Sequence, residues 1–142
     1  MRSATRFAYM LRWALRLSLR YADYCTLVTV GVRREYVGLT VDLGSRALSG
    51  LADVIQPTIR ETDLIGGLED GQLGLFLSHS DRAEALLIIQ RFADTLSQMQ
   101  FSTSLAFAIG AACCPTNGVD MDALVSHATS HPVVNVRGAS VT

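Results

Sequence analysis

The chain has no lysine. All twelve of its basic residues are arginine, so every cation can grip a flat pair of acceptors with two parallel hydrogen bonds. Charge of either sign is scarce, at 18% of 142 residues, and nearly cancels to a net −1 with a pI near 6.3. A protein that coats nucleic acid needs a large positive field to displace phosphate counterions, so DNA and RNA are not expected partners. The three cysteines, Cys25, Cys113 and Cys114, are odd in number and lack C-x-x-C spacing. That excludes a disulfide framework and a zinc site, and leaves reduced core thiols of a cytoplasmic protein as the expectation. No apolar run reaches the roughly 20 residues of a membrane span, and arginines interrupt the N-terminal stretch where a signal peptide would be continuously apolar. Neither a span nor a leader is therefore expected, and no metal or cofactor.

What is present is a globular balance. Hydrophobic residues make up 49% of a length that suits one domain with a real core. From residue 5 to about 22, Phe7, Met10, Leu11, Ala14, Leu15 and Leu19 recur at three- and four-residue spacing, with Arg12, Arg16 and Arg20 on another face. This predicts an amphipathic helix packed on its own domain, a basic face also suiting a partner helix or a membrane surface. Residues 25–32 (CTLVTVGV) read as a buried central strand, and residues 42–58 return to helical spacing with Pro57 near the end. Residues 63–65 and 73–77 flank a glycine-rich turn and predict a β-hairpin. Ser80 is the expected cap of a helix to about residue 98; residues 102–112 predict a strand, 114–118 a turn, 120–131 a short helix and 133–136 a last strand. The expected class is α+β, a ferredoxin-like mixed or antiparallel sheet packed with helices. The expected organisation is an N-terminal amphipathic helix (1–23), one domain (24–137) and a tail (138–142).

The segment IRETDLIGGLEDGQLGLFL, residues 59–77, resembles the heart of a GGDEF domain, where a helix ends in R-x-x-D, a strand follows and the GGDEF turn leads into a second strand. AIGAACCPTNGVDMDALVSHA, residues 108–128, is similar to the family's S-I-G-I-A strand, turn and following helix, and Gly44-Ser45 sits where the family has Gly-Asp. The resemblance covers roughly residues 25–128. Aligned on Asp63, the five motif positions hold Glu69, Asp70, Gly71, Gln72 and Leu73, so the turn is kept while the glycine pair and the fourth-position carboxylate are gone. Active members also carry an aspartate at the end of the first strand to hold magnesium. Residues 27–34 contain no acid, and the F-K-x-x-N-D segment is missing between Arg33 and Leu43. Two-metal phosphoryl chemistry without its carboxylates is not expected, so the resemblance implies a degenerate domain without cyclase activity.

The resemblance further implies a second site, used in the family for product inhibition by cyclic di-GMP. R-x-x-D occurs three times, at Arg20–Asp23, Arg60–Asp63 and Arg91–Asp94; only the middle copy has the family's offset from the motif, and Arg91 stands where the family's site commonly adds a third residue. Arg60 would grip guanine O6 and N7, Asp63 would accept from N1–H and the N2 amine, and Arg91 would meet a phosphate or stack on a base. The bland alternative for Arg60 and Asp63 is an exposed helix-end ion pair of little energetic weight. The implied function is a cyclic di-GMP receptor acting through a protein partner or a homodimer. The alternative is a nucleotide-independent scaffold. His127 and His131, four apart on a helix, lack a third metal ligand in the sequence and read as solvated; Ser78, His79 and Asp81 read as the start of a helix rather than a catalytic triad.

Overall fold

The computed structural model describes residues 3–34, 45–68, 72–101, 105–137 and 139–140. In chain order these form α1 (Ser3–Arg20), β1 (Cys25–Arg34), α2 (Ser45–Ile55) closed by a 3-10 turn (Gln56–Thr58), β2 (Leu64–Gly67), β3 (Leu73–Ser78), α3 (Arg82–Gln98), β4 (Gln100–Phe101), β5 (Leu105–Cys114), α4 (Met121–Ser130), β6 (Pro132–Arg137) and β7 (Ala139–Ser140). Five strands make one sheet in the order β2-β3-β1-β5-β6, every pairing antiparallel. The expected mixed or antiparallel sheet is thus antiparallel. A separate parallel pair joins β4 to β7, which ties part of the expected 138–142 tail to the body of the domain.

β1 is central because both of its faces are apolar or small. Val28, Val30 and Val32 enter one core with β3, β5, α2 and α3, and Cys25 and Leu27 enter a second core with α1 and α4. Strict alternation of side chains assigns those two sets to opposite faces, so the sheet is covered by a helix pair on each side. α1 docks through Phe7, Leu11 and Leu15, all buried. The Phe7 ring lies on Gly66 and Gly74, which are register partners across β2 and β3; a β-carbon on Gly66 would come within 2.5 Å of it. The glycine pair forms the slot that seats the helix. Gly110 of β5 has the same role for α4, since a β-carbon there would fall 1.8 Å from the Ala128 carbonyl oxygen.

Several sequence expectations are corrected in detail. Met10 and Leu19, expected on the packed face of α1, are exposed. Pro57 lies in the 3-10 turn that follows α2, where its missing N–H costs no helical bond. The cap of α3 is Asp81, whose carboxylate accepts from the Glu84 N–H at 2.9 Å, while Ser80 is buried and committed elsewhere. Residues 69–71, 35–44 and 102–104, which include Glu69, Asp70, Gly71 and Gly44, lie outside the described residues.

Candidate functional site

The chain leaves the 3-10 turn at Ile59 in extended conformation and immediately folds into a tight turn over residues 60–63. The Asp63 N–H donates to the Arg60 carbonyl at 3.0 Å, and the Arg60 N–H donates to Asp63 Oδ2 at 2.9 Å, so the turn is closed from both ends. Arg60 Nε donates to Oδ2 and Nη2 to Oδ1, both at 3.3 Å. Ser78, at the end of β3, donates its N–H at 3.0 Å and its hydroxyl at 3.2 Å to Oδ1. Arg60 Nη2 also donates to the Ser78 carbonyl and, at 2.6 Å, to Ser80 Oγ. A carboxylate removed from water must find donors within the protein, and Asp63, whose side chain is 0% exposed, finds five.

This differs from the expected division of labour. Asp63 is neither an exposed ion-pair partner nor free to accept from guanine in this conformation, because both oxygens are occupied by the protein. It acts as a brace that fixes the guanidinium. Arg60 remains 46% exposed, and its third nitrogen, Nη1, makes no hydrogen bond to the protein. Of the three R-x-x-D copies, only the middle one forms an ion pair; Asp23 instead lies 3.3 Å from His79 Nδ1. Arg91 is exposed on α3 and touches neither Arg60 nor Asp63. Ten residues past Asp81, it stands about 15 Å along the helix.

The second place of interest is where the resemblance sets the catalytic carboxylates. The hairpin survives as a hairpin, with the Leu68 N–H donating to the Gln72 carbonyl at 2.7 Å. Gln72 faces Gly31 of β1, so that a β-carbon on Gly31 would lie 3.7 Å from the Gln72 carboxamide. The small cleft here is lined by Thr29, Gly31, Gln72, Ala108 and Thr129 among others, with no acidic side chain among the described residues. Among the described residues no group of three or more His, Cys, Asp or Glu is arranged to hold a metal ion. His127 and His131 stack with ring centroids 4.6 Å apart, and His131 Nδ1 lies 3.0 Å from the His127 carbonyl, an arrangement local to α4.

The sequence did not point to a groove of about 620 Å³ between α1 and the β2–β3 edge. Tyr9, Trp13, Leu17 and Tyr21 line it at four-residue intervals, a signal visible in the sequence but one that periodicity assigns equally well to a core. The three cysteines are buried and unbonded to one another by disulfide. Burial pushes the Cys25 thiol up to about 12, and the Cys114 thiol is likewise raised by burial.

No protein-family model matches the chain, and no curated protein does. Solved structures do. The GGDEF domain of YfiN from Pseudomonas aeruginosa superposes with a TM-score of 0.70 at 21% identity, over 89% of this chain and 84% of that one. The active GGEEF domain of a diguanylate cyclase from Vibrio cholerae gives a TM-score of 0.72 at 12% identity, over 90% and 86%. A microbial GGDEF domain whose structure describes its interaction with cyclic di-GMP gives 0.61 at 15% identity, over 89% and 82%. The chain therefore has a GGDEF-like α+β fold. Among the described residues, no helix is long and apolar enough to cross a membrane.

Proposed function

We propose that this chain is a catalytically inactive receptor for cyclic di-GMP, a degenerate GGDEF domain that binds the dinucleotide at Arg60, Asp63 and Arg91 and signals through protein contacts, without a metal or other cofactor. The observation that carries the proposal is the state of Arg60. A half-exposed guanidinium is locked by Asp63, Ser78 and Ser80 with Nη1 turned away from the brace. A donor held in place in this way loses little freedom when it meets the O6 and N7 edge of a guanine. One GGDEF domain of the same fold interacts with cyclic di-GMP, which makes this ligand the natural candidate. Asp63 contributes by positioning Arg60. Arg91, a long way down α3, suits a ligand shared between two copies of the chain.

Loss of cyclase activity is supported by Gly31 and Gln72, which face each other where carboxylates would be needed. No cyclic di-GMP should form when the protein is incubated with GTP and magnesium. Isothermal titration with cyclic di-GMP, beside GTP, tests the receptor reading: wild type binds at micromolar concentration or better, and Arg60→Ala weakens binding by roughly tenfold to a hundredfold. Arg91→Ala abolishes ligand-driven dimers in sedimentation, and Asp94→Ala leaves affinity unchanged. Absence of heat at 100 µM ligand (about a −5.5 kcal/mol ceiling) would overturn the proposal.

The second reading, a nucleotide-independent scaffold, is favoured by one observation: Asp63 is already saturated by internal donors. Under that reading Arg60→Ala lowers stability and leaves partner binding intact.

A further inference from the structure

The aromatic groove on α1 adjoins the Arg60 brace. Ser78 belongs to both: its carbonyl accepts from Arg60 Nη2, and its side chain lines the groove; Thr62, inside the 60–63 turn, lines it as well. The floor is apolar, made by Leu64 and Phe76. One wall is the stripe Tyr9, Trp13 and Tyr21, which remain 71%, 61% and 66% exposed. Three large aromatic rings left in water along one stripe, over an open cleft, mark a candidate binding surface.

The charge around the cleft selects among occupants. Helical spacing puts Arg6 and Arg20 on the same face as Trp13 and Leu17, one beyond each end of the groove, and both are exposed. The Arg20 guanidinium lies over the Tyr21 ring, 5.8 Å from its centroid. With Arg60 at the third side, three arginines stand around an aromatic interior that the acid Asp23 also lines. His79 and Asp23, paired at 3.3 Å, are the polar groups at the groove's end. Flat aromatic walls with cations around them fit a purine base attached to phosphate, since every base offers a π-face and each phosphodiester a charge. A volume of about 620 Å³ lies within the range that holds such ligands.

We infer that the groove is the stacking half of the nucleotide site: a ligand gripped at Arg60 lays a purine ring against Trp13, flanked by Tyr9 and Tyr21. The inference rests on the receptor reading and extends it to α1. Trp13 is the only tryptophan in the chain and therefore reports its own occupancy. Titrating the full chain with cyclic di-GMP, heat and tryptophan emission should give the same dissociation constant, with emission quenched. Trp13→Ala should weaken binding about fivefold to a hundredfold and Trp13→Phe within about threefold, matching the worth of one stacked base. The exposure of Trp13 keeps both variants folded, which circular dichroism verifies. Heat without a change in emission, together with full affinity in Trp13→Ala, would overturn the inference and leave the receptor reading standing. Quenching that changes with protein concentration reports self-association at α1 and also overturns it. Absence of any heat in wild type defeats the receptor reading, and this inference with it.

Discussion

At Cys25 the chemistry of one atom sets a dependence of stability on pH. The thiol is held in the second core, across from Cys114 in the β1–β5 register, and burial pushes its value from 9.0 to about 12. The unfolded chain releases this proton near pH 9 and the folded chain keeps it. The stability linked to the protonated thiol is thus fully present below about pH 9 and is lost as pH climbs from there toward 12. Urea unfolding followed between pH 8 and 11 should show wild type losing stability more steeply than Cys25→Ala as pH rises through that range. Asp63 shows why individual roles were less legible than individual positions. The offset from the hairpin motif, rather than R-x-x-D spacing alone, singled out Arg60 and Asp63, yet the burial of the carboxylate depends on Ser78, brought alongside by the hairpin and invisible to a local pattern. The cap of α3 has the same origin. Ser80 and Asp81 are both competent caps, and Ser80 is taken by Arg60, so the next residue serves.

Among the elements, α1 is where sequence and structure diverge most. The helix was legible from its apolar period, but it carries two apolar stripes, and a period alone does not say which one packs. The answer lies in the partner surface: only the stripe led by Phe7 meets a pair of glycines that make room for a ring. Phe7→Ala should accordingly lower the free energy of unfolding by about 3 kcal/mol, as truncation of a buried aromatic does. Tyr9→Ala, two residues away on the exposed stripe, should shift it by no more than about 0.5 kcal/mol. Chemical denaturation of the two variants, monitored by Trp13 emission and by circular dichroism, separates the seated face of the helix from the open one. The strands were legible because β1 and β5 are apolar on both faces and so read as continuous runs. The β4–β7 pair, two residues on each side, has no period to detect.

For the molecule as a whole, the sheet shared by two helix layers leaves room for the proposed binding surface without a new domain. The groove beside Arg60 and the Gly31–Gln72 cleft lie on the same face of the sheet, the one covered by α1 and α4, but share no lining residue. That separation carries a consequence for Gly31. Its φ is not in the left-handed region, and a side chain there would meet Gln72 and the Ala108 carbonyl only at ordinary van der Waals distances of 3.7 and 3.9 Å. The glycine is sterically optional, unlike Gly66 or Gly110, and the vacancy it leaves opens toward the hairpin. Gly31→Asp combined with Gln72→Glu should therefore fold with a thermal midpoint within a few degrees of wild type, a loss of no more than about 1 kcal/mol in the absence of divalent cations. Adding manganese should raise that midpoint in the double variant and not in wild type. On the proposed reading, the cleft lacks metal ligands among the described residues rather than a scaffold to hold them, which makes it the place to begin engineering catalysis.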